Sequence, residues 1–120
     1  MEDLTKKLNR IFDKLVSTYK IDQLKETFSL VLKLLKNIVA NPTEEKYRNF
    51  KISNEAIKTK ILVIVESIEI MESIGYTQVN EELYSYTSES IANVKIAVQC
   101  IEKLLSDLEE FILKNTKTIK

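Results

Sequence analysis

The chain has 120 residues, 44% of them apolar and 30% charged, which suits one globular domain with room for a hydrophobic core. Its 18 basic and 18 acidic side chains cancel, so no cationic surplus marks it for nucleic acid. The absence of histidine, together with a single cysteine and a single glycine, excludes Cys-His and Ser-His-Asp catalysis, an internal disulfide, the commonest zinc ligand and a glycine-rich phosphate loop.

Residues 3–19 set Leu4, Leu8, Ile11, Phe12, Leu15, Val16 and Tyr19 on one stripe, which predicts an amphipathic helix packed on its own domain. Asp22 is positioned to cap a second helix from Gln23 to about Ala40. The apolar face of that helix is broad, from Leu24 and Phe28 through Leu34 and Leu35 to Val39, and implies neighbours on two sides. Asn41 precedes Pro42, the sole proline, and is therefore pushed out of the α region. Asn41 as cap, with Glu44 and Glu45 at the positive end, predicts a short helical turn over 42–49.

Phe50-Lys51-Ile52 alternates as a brief strand. Ser53 or Asn54 then caps a helix from Glu55 to Val63, followed by another from Ile64 to Ser73, with no breaker between them. Gly75 supplies the left-handed residue that ends a helix. From Tyr76 to Tyr86 the period changes to two, with a turn at Asn80-Glu81-Glu82, so a hairpin is expected to join 50–52 in a three-stranded antiparallel sheet. Thr87 or Ser88 caps a final helix reaching about Lys114, striped by Ile91, Val94, Ala97, Ile101, Leu104 and Leu108. The sum is a mostly helical α+β fold: a helical extension over 1–20, the main domain over 21–114 and a flexible tail over 115–120.

Few residues offer chemistry. Cys100 has no histidine to activate it and reads as a small residue at the core edge. Glu44-Glu45, Glu81-Glu82 and Glu109-Glu110 are neighbours that diverge on a helix, hence solvated surface, and Tyr84 and Tyr86 share a strand face at the core rim. Asn37, Lys51 and Asn54 differ: two amides that donate and accept, and one ammonium, flank a turn that folds back on a helix. They suit a peptide main chain and a carboxylate, although Asn54 can equally be a helix cap. The longest apolar run, Ile61–Val65, cannot span a bilayer, and no signal or lipidation motif is present, so a cytoplasmic or nuclear monomer is expected.

The sequence N-P-x-x-E-K-Y-R at Asn41–Arg48, then [KR]-I-x-N at Lys51–Asn54 and Ile74-Gly75-Tyr76, resembles the PUB (PUG) domain of peptide:N-glycanase and several ubiquitin-pathway proteins, over roughly residues 22–112. The resemblance implies a non-catalytic adaptor without cofactor or metal, binding the acidic, leucine- and tyrosine-containing C-terminal tail of the hexameric AAA ATPase valosin-containing protein. By motif position it assigns that tail to Asn37 and Asn54 for its backbone and tyrosine region, Lys51 for an acidic group, and Tyr47 and Ala56 for apolar wall. Leu34 stands where tail-binding members usually carry an aromatic, and Ile52-Ser53-Asn54 where close relatives have I-G-N. Asn54→Ala is expected to weaken tail binding at nearly unchanged melting temperature. The alternative is a helical interaction or dimerisation module that docks through its first and last helices.

Overall fold

The computed structural model describes residues 3–118, with side chains through Leu113. Along the chain run α1 (Leu4–Val16), α2 (Ile21–Ala40), a 3-10 turn (Glu45–Tyr47), β1 (Asn49–Lys51), a π-helical turn (Ile57–Ile61), α3 (Glu66–Ile74), β2 (Tyr76–Gln78), β3 (Leu83–Tyr86) and α4 (Ala92–Thr118). The fold is α+β, mostly helical, with one three-stranded antiparallel sheet ordered β1-β3-β2. The expected tail is helical over 115–118, and residues 119–120 lie outside the described residues.

The helical half forms because each stripe finds a neighbour. Asp3 accepts from the Lys6 amide at 2.8 Å and caps α1. Leu8, Ile11, Phe12 and Leu15 are then buried, and Phe12 meets Phe28 of α2 edge-on at 5.5 Å. Tyr19, just beyond α1, donates its hydroxyl to Glu66 at 3.0 Å and so ties α1 to α3. Helix α2 is central, burying Leu24, Phe28, Val31, Leu35 and Ile38 against α1, α4 and the π turn.

Several local expectations are corrected. Helix α2 starts two residues before Gln23, with Lys20 at the cap position and no side-chain cap; Asp22 instead lies in the first turn, where its charge opposes the helix dipole. Asn41 closes α2 rather than opening the next turn: its backbone and side-chain amides donate to the Asn37 carbonyl at 3.0 and 3.2 Å. Only Glu45–Tyr47 then winds, as a 3-10 turn. The expected helix over 55–63 is a π turn, with the Leu62 amide reaching the Ile57 carbonyl at 3.0 Å. The Ile64 amide goes to Ile61, which leaves the Lys60 carbonyl free of the ladder, and the buried Thr27 hydroxyl of α2 donates to it. Helix α4 begins at Ala92, whose amide is taken by the Ser90 hydroxyl, while the Ser88 carbonyl accepts from Arg48.

The sheet is held by an aromatic cluster. Phe50 of β1 stacks on Tyr84 at 5.3 Å with rings nearly parallel, and it tilts against Tyr76 at 5.3 Å. Tyr76 in turn meets Tyr86 at 5.6 Å. Tyr84 and Tyr86 are both buried on one face of β3, as the alternation implied. Burial pushes the Tyr76 phenol well above its ordinary value, with the nearby Tyr86 adding to the rise and Arg48 opposing it. Ionisation is thus harder in the folded than in the unfolded chain. The resulting stability is fully present below about pH 10 and is lost as pH rises past it, because the unfolded chain releases its proton first. Urea midpoints are expected to fall between pH 9 and 11, and Tyr76→Phe is expected to flatten that decline.

Candidate functional site

One cleft of ≈ 640 Å³ opens between the C-terminal half of α2, β1 and the start of the π turn. Helix α2 supplies Leu30, Lys33, Leu34 and Asn37, at positions i, i+3, i+4 and i+7 that share one face. The turn and strand opposite supply Lys46, Asn49, Phe50 and Lys51, and the segment entering the π turn adds Asn54, Ala56 and Ile57. Leu83, the residue paired with Lys51, completes the apolar floor.

The proline turn positions these groups. Arg48 donates to the Pro42 carbonyl through Nε at 3.1 Å and Nη2 at 2.6 Å, and its Nη1 reaches the Ser88 carbonyl at 2.8 Å. Its guanidinium also lies over the Tyr86 ring. Arg48 is therefore a clamp joining the turn to the β3–α4 link, in keeping with a role in the fold. Beyond it, the Ile52 amide donates to Glu82 at 2.8 Å, and the Asn54 amide donates to the Lys51 carbonyl at 3.1 Å. That turn sets Lys51 and Asn54 side by side on the cleft.

Of the residues singled out in the sequence, Leu34, Asn37, Lys51, Asn54 and Ala56 line this cleft. Tyr47 does not. Its ring is half-buried against the core, and Lys46 occupies the lining instead, with its ammonium 5.1 Å from the Tyr47 ring centre. Asn54 does two things at once. Its Oδ1 accepts from the amides of Ala56 at 3.0 Å and Ile57 at 3.2 Å, so it caps the helical residues that lead into the π turn. Its Nδ2 makes no hydrogen bond to another described residue, so the donor half of the amide is uncommitted. Among the described residues, Asn37 likewise bonds only through its backbone. Asn49 is different, since Ser85 donates to its Oδ1 and its Nδ2 donates to the Glu45 carbonyl.

The cap changes one expectation. Asn54→Ala is expected to cost about 1 kcal/mol and so to lower the urea midpoint, whereas Asn54→Asp keeps the acceptor and holds stability.

Reading the sequence missed Leu30, Lys33, Lys46, Asn49, Phe50, Ile57 and Leu83 as site residues. Leu30 and Lys33 were detectable, lying one turn or two before Asn37 on the same helical face. Lys46 and Asn49 carry no local signal, because only the pairing of β1 with β3 brings them opposite α2. The charge pattern is one-sided: the lining holds Lys33, Lys46 and Lys51 and no carboxylate. None of the three lysines is ion-paired among the described residues. No group of three acidic, cysteine or histidine side chains that could hold a metal occurs among the described residues, and none of their helices is long and apolar enough to cross a membrane.

Comparison with known proteins agrees with this architecture. The family model for the PUB domain matches residues 21–99, and the chain belongs to that family. The family is one of protein-interaction modules. The chain is 34% identical over 53 residues, 44% of its length, to peptide-N(4)-(N-acetyl-beta-glucosaminyl)asparagine amidase of Rattus norvegicus and of Homo sapiens, and spans 8% of those proteins. It is 26% identical over 101 residues, 75% of its length, to UBX domain-containing protein 6 of Caenorhabditis elegans, of which it spans 23%. With plant UBX domain-containing protein 2 of Arabidopsis thaliana it shares 32% identity over 76 residues, spanning 17% of that protein.

Proposed function

We propose that this PUB-domain chain is a non-catalytic adaptor whose cleft holds a short acidic C-terminal peptide, that of the AAA ATPase valosin-containing protein, in ubiquitin-dependent degradation. One observation carries the reading: Leu34, Asn37, Lys51, Asn54 and Ala56, separated in sequence, share a cleft with two further lysines, Lys33 and Lys46, and no carboxylate. Leu34, Ile57 and Leu83 receive the apolar anchors of the tail, Asn37 and the Nδ2 of Asn54 hold its main chain, and the lysines face its acidic residues.

A short peptide offers few anchors, so a dissociation constant in the micromolar range, about 8 kcal/mol, is expected. The test is a fluorescence-anisotropy titration with a labelled peptide of the ATPase C-terminus and its tyrosine-phosphorylated form. Saturable binding of the plain peptide, weakened by phosphorylation, supports the reading, since a phosphate must shed its hydration to enter an apolar floor. Absence of binding at near-millimolar protein overturns it.

Two variants sharpen the test. Asn54→Asp is expected to keep stability and abolish measurable binding, because it removes the donor and sets a carboxylate against an acidic tail. Lys51→Gln is expected to weaken binding roughly two- to fivefold, the worth of an exposed ion pair, and to reduce its salt dependence.

A further inference from the structure

A second groove lies away from the cleft, between α1 and α4. It begins between Asn9 and Cys100 and ends between Val16 and Phe111, and consists of two depressions of ≈ 180 and ≈ 360 Å³ that share Phe12, Asp13, Leu104 and Asp107. The eleven-residue reach along α4 corresponds to roughly 17 Å, about three helical turns. The floor is the buried edge of the core, with Leu104 and Leu108 at 8% and 4% exposure. The walls are not buried: Val16 is 45% exposed and Phe111 53%. Single exposed apolar side chains are ordinary, but here two of them continue an apolar floor.

The charges say what fits. Asp13 and Asp107 stand where the two depressions join, and neither is ion-paired among the described residues. Lys103 stands at the Asn9 end alone. A second copy docked on this face would present a groove of the same sign, with two carboxylates (Asp13, Asp107) against one lysine (Lys103) in each copy, so net like charge would meet across an apolar seam.

We propose that the α1–α4 groove docks a basic amphipathic helix of a partner protein, about three turns long, with apolar residues at i, i+3/i+4 and i+7 and a lysine or arginine over Asp13 and Asp107. The mode is a helix laid in a groove. It is independent of the tail-binding cleft, so one chain could link two partners.

The experiment titrates the ¹⁵N-labelled full chain with three synthetic fourteen-residue peptides: a leucine/lysine amphipathic helix, its leucine/glutamate counterpart, and a proline-broken peptide of the lysine composition. Saturable amide shifts over residues 9–16 and 100–111 with the first peptide alone are expected. Asp13→Asn with Asp107→Asn, both exposed positions, is expected to weaken that binding at least tenfold, and Phe111→Asp to abolish it. Equal binding of the acidic or broken peptide, unchanged affinity in the double variant, or shifts centred on Lys33, Asn37 and Lys51 would overturn the proposal. Sedimentation of the free chain as a dimer that Phe111→Asp dissolves would overturn it in favour of a second copy.

Discussion

Gly75→Ala is expected to destabilise the fold by about 2–5 kcal/mol. Gly75 follows α3 with φ +141°, a backbone conformation that residues bearing a side chain rarely adopt, and its amide closes the helix on the Met71 carbonyl. A Cβ there would also sit 2.7 Å from the Tyr86 ring. The backbone contributes about 1–2 kcal/mol of strain, and forcing aside a packed ring about 1–3 kcal/mol. Tyr86 cannot move cheaply, being pinned by Tyr76 on one side and by the Arg48 guanidinium on another. A typical domain has only about 5–15 kcal/mol in all, so much of the fold's margin is at stake. Urea unfolding checks this, and a loss below about 1 kcal/mol would refute the close approach. Combining Gly75→Ala with Tyr86→Ala should cost less than the two separate losses added, because the second removes the obstacle to the first.

Phe50→Ala is expected to cost about 3–5 kcal/mol, the range for deleting a buried aromatic side chain. Phe50 is 5% exposed, packs on both Tyr84 and Tyr76, and meets the floor of the cleft with its remaining edge. The variant should therefore lose melting temperature by roughly 10–20 °C and lose ligand affinity even where it remains folded. Phe50→Leu, which keeps the floor apolar, should recover much of both. Equal affinity in folded Phe50→Ala would separate the cleft from the aromatic cluster.

The parts of the molecule legible in the sequence are those written with a period. The α1 stripe from Leu8 to Leu15, the broad face of α2 and the stripe of α4 follow helical spacing, and Phe50, Tyr84 and Tyr86 follow strand alternation. Gly75 was legible because it is the sole glycine and ends an apolar run. The π turn was not, since Glu55–Val63 reads as an ordinary helix, and what widens it involves Thr27, more than thirty residues away. The start of α4 was missed too: Ser88 is a good cap by type, but the hydroxyl that accepts from the Ala92 amide is that of Ser90. In the cleft, the motif residues were legible individually, while the one-sided lysine charge emerged only once α2 and β1 faced each other.

The sheet order also carries a consequence in time. β2 and β3 pair through residues at most ten apart, Tyr76 with Tyr86, and such a hairpin closes in roughly 1–10 μs. β1 joins β3 through Asn49 and Ser85, 36 residues apart, with the π turn and α3 in between. That closure must overcome far more chain entropy, so β1 docks after the hairpin exists. The wall of the cleft opposite α2 is β1 itself, together with the turn that follows it. On the proposed reading, the peptide-binding surface is thus among the last features to be assembled, and a partly folded chain lacks it. On that reading, competence to bind arrives together with completion of the fold.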